Sequence, residues 1–333
     1  MKQRCVESSV EVAFTEYFSK TKRGIESELL KFISSLPQRD LQSKIKYAVL
    51  SGGKRFRPFL VVLSAQSVGG QQPKVMQLAL AFELMHTSTL VHDDIIDRDE
   101  MRRGQPSLYK KTSINEALLV GDALLALSVS LASPFGEKIL KSVSQSALEL
   151  CEGERMDLMD SLKTTNEQTY FEKIRNKSAS LCRAAAYCGA IAGGGSVTEQ
   201  LALSKFGESL GMAYQLRDDL LDFAVNRDPK FKDLSEGRVT LPLIYCYAHS
   251  DPEEKKEIER LQTLVSKDPL NASKEANDIV RMAQEKGAFE YCEKKTDEYI
   301  AQCVASVSVL KDTKYKAYLM EIARTLRNWE TGG

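Results

Sequence analysis

Apolar residues recur along this chain at helical rather than alternating spacing, and the few prolines and glycines leave long uninterrupted stretches. The clearest stretch comes after the loop "GGQQ". Pro73 suits the first turn of a helix that runs from Lys74 through Met85 to Asp97. Its residues Leu78, Leu80, Ala81, Phe82, Leu84, Met85, Leu90 and Val91 are apolar almost all round, which predicts a central helix. An earlier helix ends in "YAVLSGG", where Gly52 and Gly53 are good terminators, and the next begins near Pro58. Breaks are expected at "ASPFGE", at "GGGS" (193–196) and along "NRDPKFKDLSEGR" (226–238). The longest apolar tract, Leu118 to Phe135, is interrupted by Asp122, Ser128 and Ser130 and ends near Pro134, which predicts a buried helix rather than a membrane span. No low-complexity linker, fixed repeat or charge block marks a boundary. The expected fold class is all-α, with one large helical domain over residues 1–333.

Composition narrows the partners. The chain is 43% hydrophobic and carries 46 basic and 46 acidic side chains, so its net charge of zero gives no reason to expect nucleic acid or an anionic membrane. Seven cysteines, an odd number without CxxC spacing, read as reduced thiols in a cytoplasmic protein. The N-terminus has a basic start but no apolar core, unlike a secretory signal. A soluble protein without an integral membrane segment is expected.

The chemistry begins at "LVHDDIIDRD" (90–99), where Asp93, Asp94 and Asp97 sit among Leu90, Val91, Ile95 and Ile96. Carboxylates bounded so tightly by apolar residues are costly without a compensating cation. On a helix, residues i and i+4 lie about 40° apart, so Asp93 and Asp97 share a face with Asp94 flanking them. Far along the chain "YQLRDDLLDF" repeats the arrangement with Asp218, Asp219 and Asp222. Mg2+ keeps several waters and takes one or two carboxylates plus substrate phosphates, so two such half-sites suit a metal-bound diphosphate. One DDxxD alone is more often a solvated helix face. Two copies in aliphatic frames reverse that preference.

Basic residues accompany them. "GGKRFRP" places Lys54, Arg55 and Arg57 where a loop enters a helix, a setting in which backbone N–H groups and cationic side chains hold anions. It is not a Walker A loop, because GxxxxGK[ST] is absent. Arg102 and Arg103 come after the first acidic cluster, and Lys177 lies in "IRNKSASL". Singly each is a surface cation; as a set around two carboxylate clusters they favour anion binding.

In their order, "GGKRFRP", "ELMHTSTLVHDDIIDRDEMRRGQPS", "NKSASL", "AYQLRDDLLDF" and "DLSEGRVTLP" resemble the motifs of the trans-isoprenyl diphosphate synthases, over roughly residues 51–242. The resemblance implies an all-helical bundle around a deep central cavity, assembled as a homodimer, that condenses an allylic diphosphate with isopentenyl diphosphate. It also implies three Mg2+ ions, with Asp93 and Asp97 holding two, Asp218 the third, and Asp94, Asp219 and Asp222 in support. Arg102, Lys177 and Arg238 would bind the allylic diphosphate. Lys54, Arg57, His86 and Arg103 would bind that of isopentenyl diphosphate. Ser178 and Gln215 would stand near the cation, and no protein base is needed. A histidine on an apolar helix is ordinarily a satisfied core residue; its place two turns before Asp93, on about the same face, promotes His86.

The chain departs from the family in one loop. Where members carry GKPxGxDL, this sequence reads "RDPKFKDL", with Asp228 in the lysine position. Lys230 or Lys232 would reach the same phosphates, and Lys232 is the preferred candidate.

In this family product length depends on the side chains below the first motif. Ser88 and Thr89 are small where short-chain enzymes carry an aromatic, and Ser88 lies ~7.5 Å along the axis from Asp93. Met85 and Phe82, deeper still, narrow the tunnel. A product of twenty carbons or more is expected, leaning to medium or long chain. The rivals are a class I terpene cyclase or head-to-head synthase on the same fold, which has no need of a second diphosphate site, and a non-catalytic regulatory subunit, which typically loses one acidic motif.

Overall fold

The computed structural model describes residues 2–37, 39–224, 231–268 and 271–326. Its helices are α1 (Lys2–Ser34), α2 (Arg39–Leu50), α3 (Phe56–Ser67), α4 (Gln72–Ile96), α5 (Leu108–Lys111), α6 (Ile114–Ala132), α7 (Glu137–Leu158) and α8 (Glu167–Ile174). They continue with α9 (Ser180–Ala192), α10 (Val197–Ala224), α11 (Lys232–Ser235), α12 (Leu241–Ala248), α13 (Pro252–Lys267), α14 (Ser273–Glu285), α15 (Ala288–Ser306) and α16 (Lys314–Thr325). The all-α expectation holds. Asp228 and Lys230 lie outside the described residues.

α4 is the expected central helix. Proline stands in its first turn, and Val75, Leu78, Ala79, Leu80, Ala81, Phe82, Leu84 and Met85 are buried around its whole circumference. A helix apolar on every side must be surrounded, and α4 packs against α3, α6 and α9. It ends at Asp97, whose N–H donates to the Asp93 carbonyl at 2.8 Å, so the first acidic cluster occupies its last turn.

α10 is the second axis. Leu203, Phe206, Leu210 and Ala213 join the core built around α3, α4 and α9. Met212, Leu216, Leu220 and Phe223 join a second core with α12 to α15. The second acidic cluster lies on the last turns of α10, which brings it to the same end of the bundle as the end of α4.

Two local features depart from the expected pattern. A small hairpin, β1 (Met101–Arg102) paired with β2 (Gln105–Pro106), interrupts the helices. Its two loop residues, Arg103 and Gly104, both have positive φ (53° and 75°), as a type I′ turn requires. The second departure is a correction. The tract 118–135, expected to be a buried helix, is buried on one face only: α6 lays Ala117, Val120, Gly121, Leu124 and Ser128 inward, while Leu119 is 62% exposed and Leu118, Leu125 and Val129 are also open. Ile114–Phe135 is long and apolar enough to cross a membrane by length and composition, but its inner face is packed along α4.

Candidate active site

Two cavities meet inside the bundle. The larger, about 510 Å³, runs down between α4, α6 and α7 and is lined by Asp93, Thr89, Ser88, Met85, Leu125, Ala147 and Leu150 among others. The smaller, about 310 Å³, lies under the loop before α3 and is lined by Lys54, Arg55, Arg57, Glu83 and Arg103. Arg57, His86, Ser178 and Gln215 line both, so these four side chains stand at the junction of the two chambers.

The junction is ordered by hydrogen bonds. Arg57 Nη1 is 3.0 Å from His86 Nε2. A guanidinium can only donate, so the imidazole accepts through Nε2. Burial first, and the nearby Arg57 next, hold the His86 pKa well below the ordinary histidine value, so the ring is neutral. Across the junction the Ser178 hydroxyl donates to Gln215 Oε1 at 2.5 Å, and Gln215 Nε2 donates to Asp219 Oδ1 at 2.6 Å. Tyr170 donates to the other oxygen of Asp219 at 2.6 Å. Asp219 is therefore buried and occupied in orienting Gln215, and burial raises its pKa.

Lys177 and Ser178 project from a π-helical turn, Arg175–Ala179, that joins α8 to α9. The turn lies hard against α7, and Gly153 makes this possible: a Cβ there would sit 2.3 Å from the Lys177 backbone nitrogen. Lys177 Nζ pairs with Asp157 at 2.5 Å and Glu154 at 2.8 Å, both on α7. Burial disfavours the Lys177 charge, but Asp157 and Glu154 outweigh it and the pKa rises.

The basic residues of the other motifs are latched onto the first acidic cluster. Arg238 Nη2 reaches Asp97 at 2.6 Å, and Lys232 reaches Asp99 at 2.7 Å. Arg102 donates through Nε to Asp94 at 2.7 Å. Asp94, expected beside the metal carboxylates, is buried against Arg102 and does not line either chamber, because helical geometry turns it about 100° from Asp93. Arg103 donates to the Gly52 carbonyl across the top of the smaller cavity. Asp222 accepts the Asp233 N–H at 2.9 Å, which ties the end of α10 to α11.

The donor set fits a hard divalent cation. Asp93 carries its carboxylate at the cavity mouth, where burial and then the charge of Glu154 push its pKa up to about 7. Its ionised form therefore needs a positive partner. No three His, Cys, Asp or Glu side chains among the described residues form a ready-made cage. An all-oxygen set of dispersed carboxylates suits Mg2+, whose remaining positions go to phosphate oxygens and water.

Sequence reasoning misses the acids of α7. Glu154, Asp157 and Asp160 recur every three residues in "EGERMDLMD", a helical-face signal that passes as an ordinary charged helix. Asp157 and Asp160 enclose Lys173, whose Nζ is 2.9 Å from Asp157 and also donates to Asp160. The same ammonium donates to the Val239 carbonyl at 3.3 Å, next to Arg238.

An all-helical bundle with facing acidic helix ends, a basic loop and a deep apolar chamber defines an enzyme that handles diphosphates with long apolar tails. Residues 38–283 match the model of the polyprenyl synthetase family. The chain is 36% identical over 259 residues to a geranylfarnesyl diphosphate synthase of Methanosarcina mazei, covering 76% of this chain and 86% of that one. It is 31% identical to the octaprenyl diphosphate synthase of Escherichia coli, covering 90% and 93%. A polyprenyl synthase of Caulobacter crescentus, solved with calcium and isoprenyl diphosphate, superposes with a TM-score of 0.85 at 26% identity, covering 96% and 98%. This chain belongs to the polyprenyl synthetase family and is a prenyltransferase.

Lys173 gives a test of the charge network. Lys173→Met leaves Asp160 and half of Asp157 buried without their cation, and breaking a buried pair from one side costs about 3–5 kcal/mol. Urea unfolding is expected to show a loss of that order, with most of it recovered in Lys173→Arg.

Proposed function

We propose that the protein joins an allylic diphosphate to isopentenyl diphosphate, head to tail and with Mg2+, to give a trans-polyprenyl diphosphate of twenty carbons or more. The observation that carries this reading is the pair of chambers sharing Arg57, His86, Ser178 and Gln215. One chamber has an acidic mouth and an apolar shaft, as an allylic diphosphate needs. The other is small and basic. A terpene cyclase has no use for the second chamber, and a regulatory subunit has no need to keep both acidic clusters.

Asp93 and Asp97 from α4 and Asp218 from α10, supported by Asp219 and Asp222, would hold the ions, three by family resemblance. When bound, they neutralise the diphosphate as it departs. Lys177, Arg102 and Arg238 exchange their carboxylate partners for phosphate oxygens, with Lys232 beside them. The allylic C–O bond breaks and its electron pair leaves with the diphosphate. Ser178 keeps its oxygen lone pairs towards the junction because its proton is committed to Gln215, so it stabilises positive charge on the allylic carbon. Lys54, Arg57, Arg103 and neutral His86 hold isopentenyl diphosphate with its double bond at the same junction. The π electrons form the new carbon–carbon bond, and the proton lost from the adjacent carbon passes to the departed diphosphate.

The shaft favours a long product. The Ser88 hydroxyl donates to the Gly121 carbonyl at 2.8 Å, so it is turned into α6 and leaves the lumen clear. Met85 bounds the shaft with Ser146 of α7 behind it, 3.9 Å from its sulfur. Phe82 is packed in the core and does not line the chamber. A homodimer is the natural cover for the outer face of α6, where Leu118, Leu119 and Val129 form an open apolar stripe. The described cysteines are free thiols, most of them buried, which agrees with a reducing, cytoplasmic setting.

With farnesyl diphosphate, labelled isopentenyl diphosphate and Mg2+, chromatography of the dephosphorylated products is expected to show chains beyond fifteen carbons; absence of incorporation with any allylic starter would sink the reading. Asp93→Ala is expected to lower turnover by about 10²–10³ or more, as loss of a charge-stabilising group does elsewhere. Ser88→Phe should keep the activity and shorten the product, because Gly121 and α6 leave the ring no room except the lumen. Leu119→Lys with Val129→Lys should convert a particle of twice the chain mass to a single chain in light scattering, and a wild type that already runs as a single chain would exclude the dimer.

A further inference from the structure

Arg55 lies between Lys54 and Arg57 and lines the smaller chamber with them, yet it is only 3% exposed. It caps α3 in a left-handed backbone conformation, φ 54° and ψ 36°, which a residue with a side chain adopts only under constraint. The constraint is visible. Arg55 Nη1 donates to Glu83 of α4, itself 2% exposed, and Nη2 donates to the Val49 carbonyl at the end of α2, at 2.8 Å. Its Nε has no hydrogen-bond partner; the nearest acid, Glu26 of α1, stands 3.7 Å away. One guanidinium thus ties the loop before α3 to two other helices.

Such a pair is a poor source of stability, since apolar residues of similar volume usually do as well. Its place suggests another use. Glu83 precedes His86 by nearly one turn of α4, and Arg55 precedes Arg57 by two residues at the start of α3. The ion pair therefore sets the register of α3 against α4 at the level where Arg57 meets His86 at 3.0 Å. We infer that Arg55 and Glu83 are positioning residues for the smaller chamber, fixing Lys54 and Arg57 at the spacing that a diphosphate requires. The inference rests on the reading that this chamber holds isopentenyl diphosphate.

Charge and position make opposite predictions for Glu83→Ala. Removing a negative side chain from the chamber wall would tighten diphosphate binding if charge alone mattered. Positioning predicts a KM for isopentenyl diphosphate raised about tenfold or more, with the KM for farnesyl diphosphate unchanged and kcat within about threefold. Because Glu83→Ala leaves Arg55 buried and unpaired, the double variant Arg55→Met with Glu83→Leu is measured beside it. It is expected to keep the thermal midpoint and show the same rise in KM. Arg57→Ala is the control: a raised KM there with unmoved or lowered values in the pair variants would overturn the positioning role alone. An unmoved KM in Arg57→Ala would overturn the chamber assignment, and the inference with it.

Discussion

Carboxylates crowded at one cavity mouth repel one another, and the open end of this bundle is organised around that repulsion. Most are answered by a cation or a donor, some near in the chain and some far: Asp94 by Arg102, Asp97 by Arg238, Asp157 by Lys173 and Lys177, and Asp219 by Tyr170 and Gln215. Residual repulsion remains between Asp93 and Glu154, and between Asp233 and the acids at the end of α10. Asp93 is pushed up to about 7 by burial and by Glu154, and Glu154 keeps one buried oxygen without a hydrogen-bond partner. A cation arriving there removes a penalty the fold already carries. In the proposed function the same arrangement would serve Lys177, Arg102 and Arg238: acids hold them partly buried and oriented, and phosphate would replace those acids as partner.

Short irregular segments do the aiming. The π-turn at Arg175–Ala179 directs Lys177 to α7 and Ser178 to Gln215 from adjacent positions, which a regular helix would separate by about 100°. The type I′ hairpin does the same for Arg102 and Arg103, sending one to Asp94 and the other to the Gly52 carbonyl. Long helices bring the motifs to one end of the molecule. These turns then send neighbouring residues to different partners, with Lys177 on the larger chamber, Arg103 on the smaller and Ser178 at their junction.

The sequence shows plainly those features that obey a period or carry a punctuation mark. α4 is legible as central because apolar residues surround it, and its two acids share a face by simple helical arithmetic. The bundle and the family motifs are legible for the same reason. The hairpin is not, because a two-residue turn at Arg103 and Gly104 leaves no periodic trace. Nor is the duty of Asp94, since sequence spacing names a face without naming the helix or loop opposite. α6 reads wrongly as buried because an apolar helix looks the same whether its second face meets its own chain or another surface. Glu154 and Asp157 escape notice because an acid on an amphipathic helix is ordinarily solvated, and only the packing of the π-turn against Gly153 takes them out of water.

The depth of the larger chamber illustrates the limit most sharply. A single helix suggests a ladder of rungs at Thr89, Ser88, Met85 and Phe82, each a candidate floor. The bundle rearranges that ladder. A Cβ on Gly121 would lie 2.1 Å from the His92 ring, so α6 presses closely enough on α4 for its backbone carbonyl to claim the Ser88 hydroxyl. Phe82 turns into the core, and Met85 meets Ser146 from α7. The floor is therefore a property of the α4–α7 contact, and the width above it a property of the α4–α6 contact. Side-chain size at any one rung acts only within that frame. Under the proposed function a bulky residue at Ser88 would act as a stop, because the glycine opposite has already brought the neighbouring backbone into place behind it.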